Sequence, residues 1–184
     1  AKELGITVDM KYSWLHGAAF SASPELQTML EGWYSTGTEI VFACGGKVYQ
    51  SVVEGCKERT DGKWIGVDVD QVSVDPERVL TSATKGLRAS VQSALELYYA
   101  DKWSEIGGKT ANLGLASNFG SLEARDYVGI PTVTSSWKFA SYQLSTHEAL
   151  VAQIGAGTVT ISGDVTAAPT LSATTVNYIS GFAG

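Results

Sequence analysis

The chain has 184 residues, of which 44% are hydrophobic and 17% are charged, and its formal net charge is −6. This composition is ordinary for a folded protein and excludes a disordered chain, and the length suits one sizeable core. The 13 Lys and Arg residues form no basic run, which argues against nucleic acid as a partner. No apolar stretch approaches the roughly 20 residues that a membrane span needs.

The first part of the chain predicts a strand, a polar loop and a helix. Residues 6–12 alternate apolar and polar side chains, as a half-buried strand does. Residues 14–23 are small and polar around Phe20 and predict a loop. Ser23 followed by Pro24 predicts the start of a helix, and Gly37 predicts its end. The opening AKELG is typical of the last turn of an earlier helix, so we expect the sequence to be a fragment of a longer protein.

Three apolar runs and two helical patterns follow. Residues 39–44, 64–68 and 79–84 are short apolar runs, typical of parallel strands buried on both faces. One helix is predicted after Gly45-Gly46. A second is predicted over 85–103, with an apolar stripe that predicts its core-facing side: Leu87, Val91, Ala94, Leu95 and Tyr98. The alternation predicts an α/β fold, an open and mostly parallel sheet with helices on both faces.

The sequence changes character after Gly107. Residues 120–145 are rich in Ser, Thr and Tyr, a helix is predicted over 146–154 with Thr146 at its N-cap, and residues 156–184 predict an extended surface tail. We therefore expect a ligand-binding α/β lobe over 1–119. Residues 120–184 are expected to form a crossover and a C-terminal segment that packs on this lobe.

Polar residues and glycines follow the three predicted parallel strands, where open α/β sheets bind their ligands. They are Gly45-Gly46, Asp68-Val69-Asp70 and Thr84-Lys85. Asp68 and Asp70 admit three interpretations: a divalent metal site like that of DxD glycosyltransferases, acceptors for a ligand's hydroxyl pair, or capping and solvated carboxylates. Lys85, predicted to open the long helix, is a donor to a ligand near Asp68 or a solvated charge.

The remaining candidates give little support for catalysis. His16 and His147 have no metal-ligand spacing, His147 is expected to be exposed, and no nucleophile elbow is present, so neither a metal nor an enzymatic activity is predicted. Cys44 and Cys56 are interpreted as two buried thiols, with a disulfide left open. Phe20, in a rim loop, either stacks on a planar ligand ring or fastens the loop to the core.

Three elements together resemble a known family. The runs EIVFACGG, KWIGVDVDQ and VLTSATKGL follow one another over residues 39–87 with a helix after the first. Their GG, GVDxDQ and TSxxK elements resemble the basic membrane protein family of substrate-binding lipoproteins, which includes purine nucleoside receptors of ABC importers. The resemblance covers about residues 1–119 and is looser over 120–184.

The resemblance implies a type I periplasmic-binding fold whose two lobes close on a nucleoside. It assigns the ribose hydroxyls to Asp68, a second contact to Lys85, base stacking to Phe20, and a position beside the ligand to Gly45 and Gly46. Asp70 is left as a supporting residue behind these contacts. No cofactor is implied, and the chain looks like the second lobe without its first strand.

The main functional hypothesis is therefore a nucleoside-binding component of an ABC importer that delivers its ligand to a permease. The resemblance implies an extracytoplasmic lipoprotein anchored to the membrane. A sensor domain of the same fold and a DxD-dependent glycosyltransferase are the alternatives. Loss of an inner strand would expose a sheet edge, so a homodimer of the fragment is also expected.

Overall fold

The computed structural model describes residues 5–163 and 166–179. Within these ranges, strands and helices alternate as far as residue 68, a second strand then follows directly before the next helix, and the elements become sparser after residue 99. The elements are β1 (Val8–Tyr12), α1 (Pro24–Ser35), β2 (Ile40–Phe42), α2 (Tyr49–Cys56), β3 (Lys63–Asp68), β4 (Val79–Lys85), α3 (Leu87–Tyr99), β5 (Val128–Gly129), α4 (Leu144–Gly155) and β6 (Thr174–Tyr178).

The larger sheet has the strand order β2-β3-β4-β5. Strands β2, β3 and β4 are parallel, and β5 runs antiparallel to β4. The register pairs Val41 with Trp64 and Asp68 with Thr84. The carboxyl ends of the three parallel strands therefore lie along one edge. This arrangement confirms the predicted α/β class and the mostly parallel open sheet.

The main core lies between one face of this sheet and the helices α1 and α2. Trp64 is fully buried there, its Nε1 donates to Asp75 Oδ2 at 3.2 Å, and Tyr34 donates to the carbonyl of Lys63 at 2.7 Å. Burial raises the pKa of Tyr34 above its ordinary value. Each fully buried apolar side chain contributes about 1.5–3 kcal/mol. The core residues are Leu26, Leu30, Tyr34, Val41, Ala43, Val52, Cys56, Trp64 and Val79.

The ends of α1 follow from local sequence. The Ser23 hydroxyl accepts a hydrogen bond from the Leu26 amide at 3.1 Å, and Pro24 is the first helical residue. Gly37 has φ of +105° and donates its amide to the Tyr34 carbonyl beyond the last turn. The predicted start and end of this helix are both confirmed.

Helix α3 departs from its prediction in two ways. Lys85 is the last residue of β4 instead of the first residue of the helix. The predicted core-facing stripe is largely exposed, and the buried residues of α3 are Ser93 and Leu97. The reason is that α3 packs against the segment around Tyr127, whose hydroxyl lies 2.9 Å from Ser93 Oγ.

The second half of the chain contains elements that its sequence did not predict. β6 pairs in parallel with β1 as a separate two-stranded sheet, so the extended surface tail is wrong over these residues. Helix α4 begins at Leu144 with Gln143 at its N-cap, and Thr146 lies inside it. The end of an earlier helix, predicted at the first residues of the chain, falls on 1–4 and lies outside the described residues.

Two side-chain environments also differ from expectation. Cys44 and Cys56 are free thiols, but only Cys56 is buried, since Cys44 follows an edge strand and faces solvent. His147 is half-buried beside the Trp137 ring, with 5.4 Å between ring centroids, where an exposed histidine was predicted. Among the described residues, no helix has the length and apolarity to cross a membrane.

Candidate functional site

The predicted site residues lie along the carboxyl edge of the parallel strands. Asp68 ends β3, Lys85 ends β4, and Gly45-Gly46 follow β2 by two residues. Because the strand order is β2-β3-β4, these three strand ends are neighbours in that order. We call this edge, together with the loop residue Phe20, the rim.

Asp68 sits on the rim in an unusual backbone conformation. Its φ is +71°, and the amide of Val69 donates across it to the carbonyl of Val67 at 2.8 Å. A bond from residue i+2 to residue i around a positive φ forms the rarer and more strained kind of γ-turn. Such strain at a strand end persists only where the surroundings fix it, and it clusters at ligand sites.

An ion pair joins Asp68 to the next strand. Lys85 Nζ lies 2.6 Å from Asp68 Oδ1, and the side chains are 62% and 31% exposed, respectively. A hydrogen bond and the charge of Asp68 raise the pKa of Lys85, and the nearby Cys44 adds a smaller electrostatic effect. The rim therefore offers a carboxylate and an ammonium group side by side.

The loop after β3 is held by residues that the sequence did not single out. Gln71 is buried. Its side-chain Oε1 accepts a hydrogen bond from the backbone amide of Val67 at 3.0 Å, and its backbone amide donates to Ser82 Oγ at 3.0 Å. A Cβ on Gly66 would lie 2.6 Å from both Gln71 Oε1 and Ser82 Oγ. Gly66 thus makes room for the bonds that hold the backbone on either side of Asp68, at Val67 and Gln71. The sequence feature that could have indicated these hydrogen bonds is Gln71, the glutamine that ends the GVDVDQ run.

Asp70 points to different partners from those of Asp68. Its Oδ1 accepts the Val72 amide at 3.1 Å, and its Oδ2 accepts the hydroxyl of buried Ser136. The carboxylate thereby ties the loop after β3 to the second half of the chain. Asp68 and Asp70 do not converge on one point, and among the described residues no group of three or more His, Cys, Asp or Glu is placed to hold a metal ion.

Phe20 and the glycine pair form the other end of the rim. The Phe20 carbonyl accepts the Lys47 amide at 2.9 Å, and a Cβ on Gly46 would lie 3.0 Å from that carbonyl. Phe20 has φ of +51° and its side chain is 65% exposed. The loop that carries it also lines a cleft of about 260 Å³. The contact with Gly46 and Lys47 docks this loop and leaves the aromatic ring facing solvent.

The rim thus presents an open aromatic ring, a glycine turn, a carboxylate and an ammonium group. Carboxylates accept the hydrogens of hydroxyl pairs, and exposed aromatic rings stack on planar ligands. The structure brings Phe20 to Gly46 and Asp68 to Lys85. The residues that follow β2 lie between these two pairs along the edge. Among them is Cys44, which is close enough to Lys85 to affect its pKa.

Comparisons with known proteins place this chain in a family. Residues 20–140 match the model of the PnrA-like substrate-binding proteins of ABC transporters. Over 83 residues the chain is 39% identical to basic membrane protein D of Borreliella burgdorferi, covering 45% of this chain and 24% of that protein. Over 108 residues it is 31% identical to basic membrane protein A1 of Borrelia garinii subsp. bavariensis, covering 58% of this chain and 32% of that one.

The matched segments span about a quarter to a third of the length of these relatives. The family match runs from Phe20 past the ends of β2, β3 and β4, so it includes every residue of the rim. It also extends over more than half of the chain. The chain belongs to the PnrA-like family of ABC transporter substrate-binding proteins.

Proposed function

We propose that this chain is the second lobe of a substrate-binding protein that binds a purine nucleoside in a cleft between two lobes. The observation that carries the proposal is Asp68, held in a strained γ-turn at the end of β3 with Lys85 beside it. A fixed carboxylate with an open side is suited to accept both hydrogens of a ribose diol. A strained backbone at this position is more readily explained by a ligand than by stability.

The other rim residues suit the rest of such a ligand. In this proposal Phe20 stacks on the base, and Gly45 and Gly46 allow the ligand to approach the backbone. Lys85 donates to the ligand while its ammonium group stays beside the Asp68 carboxylate. Asp70 supports the loop through Ser136 and does not touch the ligand. In this proposal residues 1–119 form the ligand-binding lobe, and residues 120–184, where the structure describes them, form a crossover and a C-terminal segment that packs on that lobe.

The proposed protein acts by binding and delivery, without chemistry and without a cofactor. Ligand clefts bury most of a small molecule's surface, so the first lobe of the longer protein would complete the site. The bound nucleoside would then pass to the permease of an ABC importer. The family match supports an extracytoplasmic protein, and we extend it to a lipoprotein anchored at the membrane.

The proposal is tested by titrating nucleosides into the 184-residue chain and into Asp68→Asn. Because a single lobe binds weakly, binding is followed by amide chemical shifts in NMR at millimolar nucleoside. Loss of a hydrogen bond to a charged group costs about 1.5–3 kcal/mol, so affinity for adenosine or inosine should fall roughly 10- to 100-fold. The exposed Asp9→Asn in β1 is the matched control and should bind like the parent.

A 2′-deoxynucleoside separates the diol contact from base stacking. It should bind the parent chain as weakly as the ribonucleoside binds Asp68→Asn. Equal affinity of Asp68→Asn and the parent for ribonucleosides, or no shift at any rim residue, would make the assignment of Asp68 wrong.

A further inference from the structure

Helix α3 carries an apolar face that no described residue covers. Leu87, Val91, Leu95 and Tyr98 follow the i, i+4, i+8, i+11 spacing of one helix face and are 57%, 59%, 48% and 59% exposed. Large contiguous apolar patches are rare on monomeric soluble proteins, and they mark interaction surfaces. We call this face, defined by these four residues, the α3 stripe.

An aromatic and acidic cleft lies at the carboxyl end of the stripe. It has a volume of about 370 Å³ and is lined by Tyr98, Tyr99, Asp101, Trp103 and Ser104. The Tyr98 ring stands nearly perpendicular to those of Tyr99 and Trp103, at 77° and 82°. Within the described part of the chain, the Asp101 carboxylate has no hydrogen bond or ion pair. Aromatic faces beside a free carboxylate suit a cation, and above all a guanidinium.

A free guanidinium lies at the opposite end of the same stripe. Arg88 is exposed in the first turn of α3, next to Leu87, and it too has no ion pair or hydrogen bond with a described residue. At 1.5 Å per residue, Arg88 and Tyr99 are about 16 Å apart along the helix axis. Arg88 therefore cannot enter the cleft of its own helix.

We propose that the α3 stripe is a homodimer interface in which α3 packs antiparallel against α3 of a second copy. A two-fold axis exchanges the two ends of the helix, so Arg88 of each copy would enter the cleft lined by Tyr98 and Asp101 of the other. Val91 would then face Leu95 of the other copy, with the small Ala94 near the axis. The stripe is thus complementary to itself in apolar surface and in charge, which points to a second copy as its occupant.

This surface is separate from the rim. None of its residues takes part in the proposed nucleoside contacts, and loss of nucleoside binding would leave it unaffected. It also differs from the edge strand β2 of the larger sheet, whose unpaired edge is another surface at which two copies could associate. Variants on α3 therefore distinguish the two routes to a dimer.

The test is sedimentation equilibrium of the 184-residue chain from micromolar to submillimolar concentration. We expect a monomer–dimer equilibrium. Leu95→Lys places a charge at the centre of the stripe and should weaken the dimer by at least about tenfold, equivalent to 1.4 kcal/mol. Because Leu95 is half-exposed in one copy, circular dichroism should show this variant folded. Glu148→Arg, on the exposed side of α4, is the control and should dimerise like the parent.

Charge exchange gives the sharper result. Arg88→Asp and Asp101→Arg should each self-associate weakly, because each places like charges at both ends of the interface. An equimolar mixture of these two variants should form a heterodimer, since both ends then carry opposite charges. A monomer at every concentration, or a dimer that Leu95→Lys, Arg88→Asp and Asp101→Arg all leave unchanged, would overturn the proposal.

Discussion

Lys85 Nζ lies 2.6 Å from Asp68 Oδ1 and joins the carboxyl ends of two neighbouring parallel strands, β3 and β4. More than half of the lysine side chain is exposed, so solvent screens the pair and its contribution to stability is small. Its effect on charge is clearer. The pair keeps the Lys85 ammonium group beside the carboxylate of Asp68, a rim residue whose backbone is strained.

Asp68→Asn should lower the pKa of Lys85 toward its ordinary value. The hydrogen bond and the charge of Asp68 raise that pKa, so the pair stabilises the folded chain below the ordinary lysine value of 10.5. The stabilisation disappears as the pH rises through the folded-state value. The measurement is an NMR titration of the Lys85 side chain, with Asp70→Asn as the control because Asp70 bonds to Ser136. An unchanged Lys85 titration in Asp68→Asn would mean that the pair does not form in solution.

The two cysteines should differ strongly in reactivity. Cys44 is exposed at the rim, whereas Cys56 is fully buried and burial raises its thiol pKa. Since the thiolate is the reacting form, a thiol reagent should modify one cysteine quickly in the folded chain and both after denaturation. Cys44→Ala should lose the fast reaction, and Cys56→Ala should keep it. Two fast thiols in the folded parent chain would contradict the burial of Cys56.

Cys44 also reports on the rim without any change to the proposed contacts. If a nucleoside occupies the rim, it should slow modification of Cys44 in a concentration-dependent way. Modification of denatured chain at the same nucleoside concentration is the control for quenching of the reagent. Protection that is equal in Asp68→Asn and in the parent would indicate binding that does not use the Asp68 carboxylate.

Local patterns predicted those features that local physics determines. Ser23, Pro24 and Gly37 specify the ends of α1 through their own hydrogen bonds and backbone preferences. Apolar runs ending in polar residues gave the three parallel strands, and the rule for open sheets placed Asp68 and Lys85 on one edge. Their 2.6 Å contact follows from the adjacency of β3 and β4.

Features that depend on distant contacts were not predictable. Ser136 meets Asp70 across 66 residues, and no pattern near either residue indicates the other. The periodicity of α3 identifies an apolar face, but it cannot say whether this chain covers that face. Helix α3 instead buries Ser93 against Tyr127, which no hydrophobic pattern would select. Likewise, β6 forms because β1 offers it a free edge.

Gly55 should tolerate a methyl group poorly, although it lies in a helix. A Cβ on Gly55 of α2 would lie 2.8 Å from Leu30 Cβ and 3.2 Å from the Glu31 amide nitrogen of α1. Gly32 in α1 is a matched control, since its Cβ would meet nothing within 4 Å. Both Gly→Ala changes bring the same gain in helix propensity, about 1 kcal/mol, so their difference isolates the helix–helix contact.

We therefore expect Gly32→Ala to stabilise the chain and Gly55→Ala to be less stable than Gly32→Ala by about 1–3 kcal/mol, the usual cost of overpacking. Urea denaturation of both variants measures the difference as a shift in midpoint at constant slope. Equal midpoints would show that α1 and α2 are not packed this closely.

The Glu96–Arg125 pair should make stability depend on pH in the acid range. Arg125 donates to Glu96 Oε1 at 3.0 Å and to Oε2 at 2.7 Å, and this hydrogen bonding and charge hold the pKa of Glu96 below its ordinary value of 4.5. A lowered folded-state pKa stabilises the fold above the ordinary value. That stabilisation is lost as the pH falls through the folded-state pKa.

Glu96→Gln should consequently be less stable than the parent near neutral pH and should approach the parent's stability as the pH falls below the folded-state pKa of Glu96. Urea midpoints measured across this range give the difference, and high salt should reduce it because both side chains are exposed. Arg125 also donates to Ser93 Oγ at 3.2 Å, a bond that Glu96→Gln leaves in place, so the variant reports on the ion pair alone. A difference that stays constant with pH would assign the effect of Glu96 to packing and not to its charge.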